Sequence, residues 1–129
     1  MEKKGIELEV IIKDLTLSIE ADINLIEQVL INILVNAIEA IRDNEKPHII
    51  LTAEPLNNNK TGIKIADNGI GMSAELLDKI FIPFFSTRKT GSGIGLSLCK
   101  QIMLLHRGNI QVQSVEGKGS VFLLQFNAG

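Results

Sequence analysis

Residues 29–41 read Val29-Leu30-Ile31-Asn32-Ile33-Leu34-Val35-Asn36-Ala37-Ile38-Glu39-Ala40-Ile41, an oily run interrupted twice by an amide. The apolar residues Ile26, Val29, Leu30, Ile33, Leu34, Ala37 and Ile41 recur at helical spacing. Asp22 stands where an N-cap belongs and Pro47 lies beyond the end, so a helix is expected over residues 23–43. At about 100° per residue, Gln28, Asn32, Asn36, Glu39 and Asp43 share an arc of about 80°. Ile31, Val35 and Ile38 fall on a further side, so other elements are expected to flank the helix. A buried amide without a partner costs about 1–3 kcal/mol, and Asn32 and Asn36 are therefore satisfied by the fold, by water or by a ligand. The plain reading is a stripe facing solvent. Such a stripe usually mixes Lys, Glu and Arg, whereas two amides offer neutral oxygens that suit a hard cation such as Mg²⁺.

On either side of this helix the chain is β-prone. Residues 6–12 and 15–20 flank Lys13-Asp14 and read as a hairpin at a sheet edge. Residues 48–54 and 63–66 are two more strands, joined by a loop over 57–62 that is rich in turn formers. Ser73 can cap a short helix reaching Lys79, residues 93–105 read as another helix closed by His106-Arg107-Gly108, and 110–114 with 120–126 alternate as a last hairpin. The order ββαββααββ calls for a mostly antiparallel sheet with helices on one face, a two-layer α/β sandwich. No repeat, low-complexity tract or linker divides residues 1–129, which read as one domain.

Composition narrows the partners. A chain of 129 residues that is 45% hydrophobic can bury a core. A formal charge of −2 and a pI near 5.7 argue against nucleic-acid binding, which leaves a basic excess. Cys99 is the single cysteine, so no intramolecular disulfide forms, and no Cys/His cluster suggests zinc; a reducing compartment is expected. The first residues lack the apolar centre of a signal peptide, and the oily runs fall short of the ~18 residues of a membrane span, so a soluble cytoplasmic domain without direct membrane insertion is expected.

Three glycine-bearing segments remain. Asp67-Asn68-Gly69-Ile70-Gly71 ends a strand and is either a hairpin turn or a loop kept open for a ligand; the helical character of residues 72–79 favours the second. Gly91-Ser92-Gly93-Ile94-Gly95 precedes the apolar Leu96 helix, whose free N–H groups and positive dipole end favour phosphate. It is neither a P-loop nor a dinucleotide-binding turn. Between them, residues 80–90 carry Phe81, Phe84 and Phe85 beside Arg88 and Lys89, which suggests a lid whose cations meet a polyphosphate, although each phenylalanine also suits a plain core. Gly117 and Gly119 mark a turn, and Ser120 has a hydroxyl to point into a pocket.

The order Asn32-xxx-Asn36-Ala37, Asp67-x-Gly69-x-Gly71, Phe81-xxx-Phe85, Gly91-x-Gly93-x-Gly95-Leu96 and Gly117-x-Gly119-Ser120 closely resembles the N, G1, F, G2 and G3 boxes of bacterial sensor histidine kinases. The match covers essentially the whole chain. The resemblance implies the catalytic, ATP-binding domain of the Bergerat (GHKL) fold, with about five strands, about three helices on one face and an ATP lid between residues 72 and 92. It implies ATP and Mg²⁺ as cofactors, Asn36 as metal ligand and Asn32 beside the phosphates or the metal's water shell. Asp67 would accept from the adenine amino group, with Gly69, Ile70 and Gly71 beside the base and Gly71 letting it approach the backbone. Gly91, Ser92, Gly93, Ile94, Gly95 and Leu96 would line the triphosphate, Ser120 would add a polar contact, and Arg88 or Lys89 would meet the γ-phosphate. The chemistry suits these roles: a carboxylate accepts from an amino group and rejects the guanine carbonyl, and phosphoryl transfer needs positioning, a metal and cations.

Some histidine kinases carry Lys or Arg three residues after the Asn36 position, where this chain has Glu39. ATP hydrolases of the same superfamily, and usually anti-sigma kinases, carry Glu at the position of Asn32. An amide cannot take a proton from water, so Asn32 favours transfer over hydrolysis. The resemblance places the acceptor histidine on a separate dimerising helical hairpin, with a response regulator downstream and a parent protein that is in some cases a membrane sensor. His48 and His106 lack the acceptor's context; His106 reads as a helix C-terminal residue and His48 as the start of a strand. A hydrolase, an anti-sigma-type kinase and an ATP-binding regulatory module are the alternatives.

Overall fold

A computed structural model describes residues 5–83 and 95–128. Five strands and three helices follow in the order β1 (Glu7–Ile12), α1 (Ile23–Ala40), β2 (His48–Leu56), β3 (Lys60–Asp67), α2 (Ala74–Leu77), α3 (Gly95–Leu105), β4 (Asn109–Val115) and β5 (Gly119–Asn127). The strands form one sheet in the order β1-β2-β3-β5-β4, with β1 parallel to β2 and every other pair antiparallel. The two-layer α/β sandwich is as expected from the sequence.

Each element has a local cause. Asp22 caps α1 by accepting from the backbone N–H groups of Asn24 and Leu25. Ser73 caps α2 in the same way through Leu76 N–H. The β2–β3 turn has Asn58 and Asn59 at positive φ (63° and 59°), a conformation asparagine tolerates better than most residues. β5 alternates strictly, burying Ser120, Phe122, Leu124 and Phe126 on the face that meets the helices.

The core lies between that face and the stripe Ile26, Val29, Ile33, Ala37 and Ile41 of α1, which the spacing of the sequence picked out. Cys99, Ile102 and Met103 of α3 complete it. By length and mean hydropathy (1.4) α1 is apolar enough to cross a membrane, yet here it is the central helix of the sandwich, with its inner stripe closed against the sheet and α3.

One expectation fails, and another, that elements besides the sheet flank α1, is met by α3 on one side only. Residues 15–20 form no strand, and β1 pairs in parallel with β2 instead of folding into a hairpin. Asp14 accepts from both the backbone N–H and the hydroxyl of Thr16 to make a turn, after which Ser18 O accepts from the Thr61 hydroxyl and Glu20 N–H donates to Asn127 O. The segment carries the chain from the sheet edge past β3 and β5 to α1, so β-prone side chains serve a crossing. Ile31, Val35 and Ile38 remain 58%, 44% and 45% exposed, so no described element covers that side of α1.

Candidate functional site

The site grows from the end of β3. Register places Asp67 opposite Ser120, and Ser120 opposite Ser114, so three polar side chains form one row across β3, β5 and β4. Cross-strand partners share a face, and this row lies on the face that carries Phe122 and Leu124. Ser114 Oγ accepts from Met72 N–H at 2.7 Å, donates to Gly119 O at 3.0 Å and lies 2.7 Å from Ser120 Oγ. Ser120 is only 5% exposed, and its hydroxyl is turned into this row.

Asp67 Oδ1 accepts from Gly69 N–H at 2.9 Å. Burial pushes the carboxyl above its ordinary value of 3.8, while the N–H groups of Gly69 and Ser120 oppose the rise. The following loop is held at both ends. Asn68 exchanges bonds with His48 and donates to Lys46 O, and Asn44 donates to Asn68 O at 2.7 Å. Ile70 N–H donates to Ala40 O, the last residue of α1, and Ile70 O accepts from Gly117 N–H. A Cβ on Gly69 would stand 2.5 Å from Ala40 O. Gly71 has φ +68° and a Cβ there would meet Val115 O at 2.1 Å, so this glycine is required for the loop to pack on the β4–β5 hairpin.

Ala40 is also the link to the amides, since Asn36 lies one turn earlier on the same face of α1. Asn32 and Asn36 are both half-buried. Asn36 Nδ2 donates to Asn32 O at 3.1 Å, which commits the amide nitrogen to the helix and leaves Oδ1 for another partner. The start of α3 abuts the same stripe: the Cβ position of Gly95 is 3.4 Å from Asn32 Oδ1. Beneath it the Cys99 thiol bonds the Asn32 side chain, lies 3.7 Å from Val29 O and is pushed up to about 11 by burial, so it stays protonated and inert. Gly95 and Leu96 open α3, and first-turn N–H groups of a helix favour an anion.

The structure therefore places Asn32, Asn36, Asp67, Gly69, Ile70, Gly71, Gly95, Leu96 and Ser120 on the end of β3 and the loop after it, the second half of α1, the start of α3 and the adjoining end of β5. Phe84, Phe85, Arg88, Lys89, Gly91, Ser92, Gly93 and Ile94 lie outside the described residues. Phe81 is half-buried against the core, with Lys100 Nζ 5.4 Å from its ring centre. Glu39 pairs with Arg42 at 3.7 Å. His106 donates through Nδ1 to Ile102 O and accepts through Nε2 from Asp22 N–H, a strut between the helices. His48 opens β2 beside Glu7 and Glu9. Sequence reading missed Ser114, Asn68 and Asn44. For Ser114 a signal existed: it is the one hydroxyl in the inward phase Ile110, Val112, Ser114 of β4.

Residues 21–129 match the model of a family described as histidine kinase-, DNA gyrase B- and HSP90-like ATPases. Among curated proteins, the signal transduction histidine-protein kinase AtoS of Escherichia coli (strain K12) is 42% identical over 106 residues, 82% of this chain and 17% of that protein. The sensor histidine kinase ZraS of the same strain is 41% identical over 123 residues, 94% of this chain and 25% of that protein. The chain thus spans a quarter or less of these two relatives. A nucleotide-free catalytic domain of the histidine kinase ThkA superposes with a TM-score of 0.82 at 36% identity, covering 95% of this chain and 78% of that one. Full-length ShkA in complex with AMPPNP gives 0.83 at 25% identity, over 97% of this chain and 26% of that one.

Proposed function

This chain belongs to the histidine kinase-, DNA gyrase B- and HSP90-like ATPases, in the GHKL superfamily and among relatives that are sensor histidine kinases, and from that premise we propose that it binds Mg-ATP and passes the γ-phosphoryl group to a histidine on a separate helical hairpin. The observation that carries transfer over hydrolysis is Asn32. It sits one turn before Asn36 at the start of α3, where a hydrolase needs a carboxylate to activate water, and an amide cannot accept that proton.

The remaining roles follow from what each group offers. Asp67 accepts from the adenine amino group, and Gly69, Ile70 and Gly71 form the backbone beside the base. Gly95 and Leu96, with Gly91, Ser92, Gly93 and Ile94, face the triphosphate, and Arg88 or Lys89 meets the γ-phosphate. Asn36 Oδ1, left over once Nδ2 has bonded Asn32 O, suits Mg²⁺. Among the described residues no three His, Cys, Asp or Glu gather as a metal cage, which fits a cation held mainly by phosphate oxygens and water with one amide. Mg²⁺ there would neutralise charge on the phosphates. The unprotonated ring nitrogen of the acceptor attacks the γ-phosphorus, the bond to the β,γ-bridging oxygen breaks, ADP leaves with that electron pair, and the other ring nitrogen releases its proton to water. His106 is unsuited as acceptor because both its nitrogens are bonded within the fold. The parent is read as a sensor kinase with its catalytic part in the cytoplasm and a response regulator downstream.

The test mixes the chain with a dimerising helical hairpin and γ-labelled ATP. Acid-labile, base-stable label on the hairpin histidine is the expected result. Steady phosphate release without acceptor labelling would show a hydrolase, and binding with neither would show a regulatory module; either outcome refutes transfer.

A further inference from the structure

Ser114 lies outside the roles assigned so far, although it joins the β4–β5 hairpin to the loop after β3. A serine hydroxyl has one proton and two lone pairs. Around Ser114 Oγ the partners leave one assignment. The Met72 N–H only donates, so it takes one lone pair; the Gly119 carbonyl only accepts, so it takes the single proton. What remains is a second lone pair, and Ser120 Oγ at 2.7 Å fills it by donating. The proton of Ser120 is thereby directed toward β4, although Ser120 stands directly opposite Asp67 on β3.

We propose that Ser114 is a positioning residue for base recognition: by drawing the Ser120 proton to itself, it keeps that proton off Asp67 and leaves the carboxylate free to accept from the exocyclic amino group of a purine. The proposal rests on the reading of Asp67 as the base acceptor. Removing the Ser114 hydroxyl frees Ser120 to rotate and donate to Asp67, where it competes with the ligand's amino group. A nucleotide without that amino group loses nothing by this competition, so the effect is one of selectivity and differs from a general loosening of the loop.

The measurement is the ratio of dissociation constants for ATP and for purine riboside triphosphate, which lacks the amino group, with circular dichroism as a check of folding. The wild-type chain should prefer ATP by roughly tenfold or more, the worth of one hydrogen bond to a charged acceptor. Ser114→Ala should lose most of that preference, and Ser114→Thr, which keeps the hydroxyl, should retain it. If Ser114→Ala does not fold, Ser114→Cys, a weaker hydrogen-bonding group of similar size, should give a partial loss. Equal weakening of both nucleotides in Ser114→Ala, or an undiminished preference in Ser114→Ala or Ser114→Cys, would overturn the proposal while leaving the base site standing. A wild-type chain that binds neither nucleotide, or binds both equally, would remove the base site and the proposal with it.

Discussion

In the role proposed for it, Asp67 carries two demands that pull apart. Recognition of an amino group needs an acceptor, while burial raises the carboxyl above 3.8 and makes its charged form costly. The sign follows from which state releases its proton first. Below 3.8 the group is protonated folded or unfolded and contributes nothing; as pH rises through the interval above it, the unfolded chain ionises first and the fold loses stability, after which the cost stays constant. Chemical denaturation from below 3.8 to neutrality should therefore show the stability of the wild-type chain falling relative to that of Asp67→Asn. The same variant should lose its preference for ATP over GTP, measured by competition. Asp67 was legible in the sequence because a carboxylate between a strand and two glycines is a local pattern. Ser114 was marked in the sequence only as the one hydroxyl in the inward phase of β4, and its role was not legible, because its partners Met72, Gly119 and Ser120 are assembled by cross-strand register and a loop.

At the scale of elements, α1 and α3 act as a pair. They meet at the amides, where Asn32 faces Gly95 and Cys99, and again at the far end, where His106 accepts from the Asp22 N–H at the N-cap of α1. His106→Ala breaks this strut and leaves the exposed Asp22 N–H to water, while Ile102 O keeps the His106 N–H, so it should cost about 0.5–1.5 kcal/mol in unfolding free energy. Mere replacement of an exposed helix end would cost far less, which denaturant titration distinguishes. The helix itself was readable from its repeat and its cap, since both are local physics. The hairpin expected over residues 6–20 was not realised, because strand propensity reports what a side chain tolerates and the parallel pairing of β1 with β2 forces the next segment to cross the sheet. The exposed Ile31, Val35 and Ile38 show the same limit: an apolar side of a helix does not specify that anything described here covers it.

On the scale of the whole molecule, the sandwich exists to bring three termini of its elements together. The sheet delivers Asp67 at the end of β3, α1 delivers Asn36 one turn before Ala40, and α3 begins at Gly95 against Asn32; Ala40 O, bonded to Ile70 N–H, closes the arrangement. The fold class was legible because alternation and helical repeat sort residues into layers, and the convergence was not, because it depends on the strand order β1-β2-β3-β5-β4. In the proposed function the two amides in the oily helix serve a metal and its phosphates. Calorimetric titration of ATP with and without Mg²⁺, on the wild-type chain and on Asn36→Ala, tests it most directly. Mg²⁺ should strengthen ATP binding to the wild-type chain by at least about tenfold, and this increment should disappear in a folded Asn36→Ala variant. An undiminished Mg²⁺ increment in that variant would contradict it.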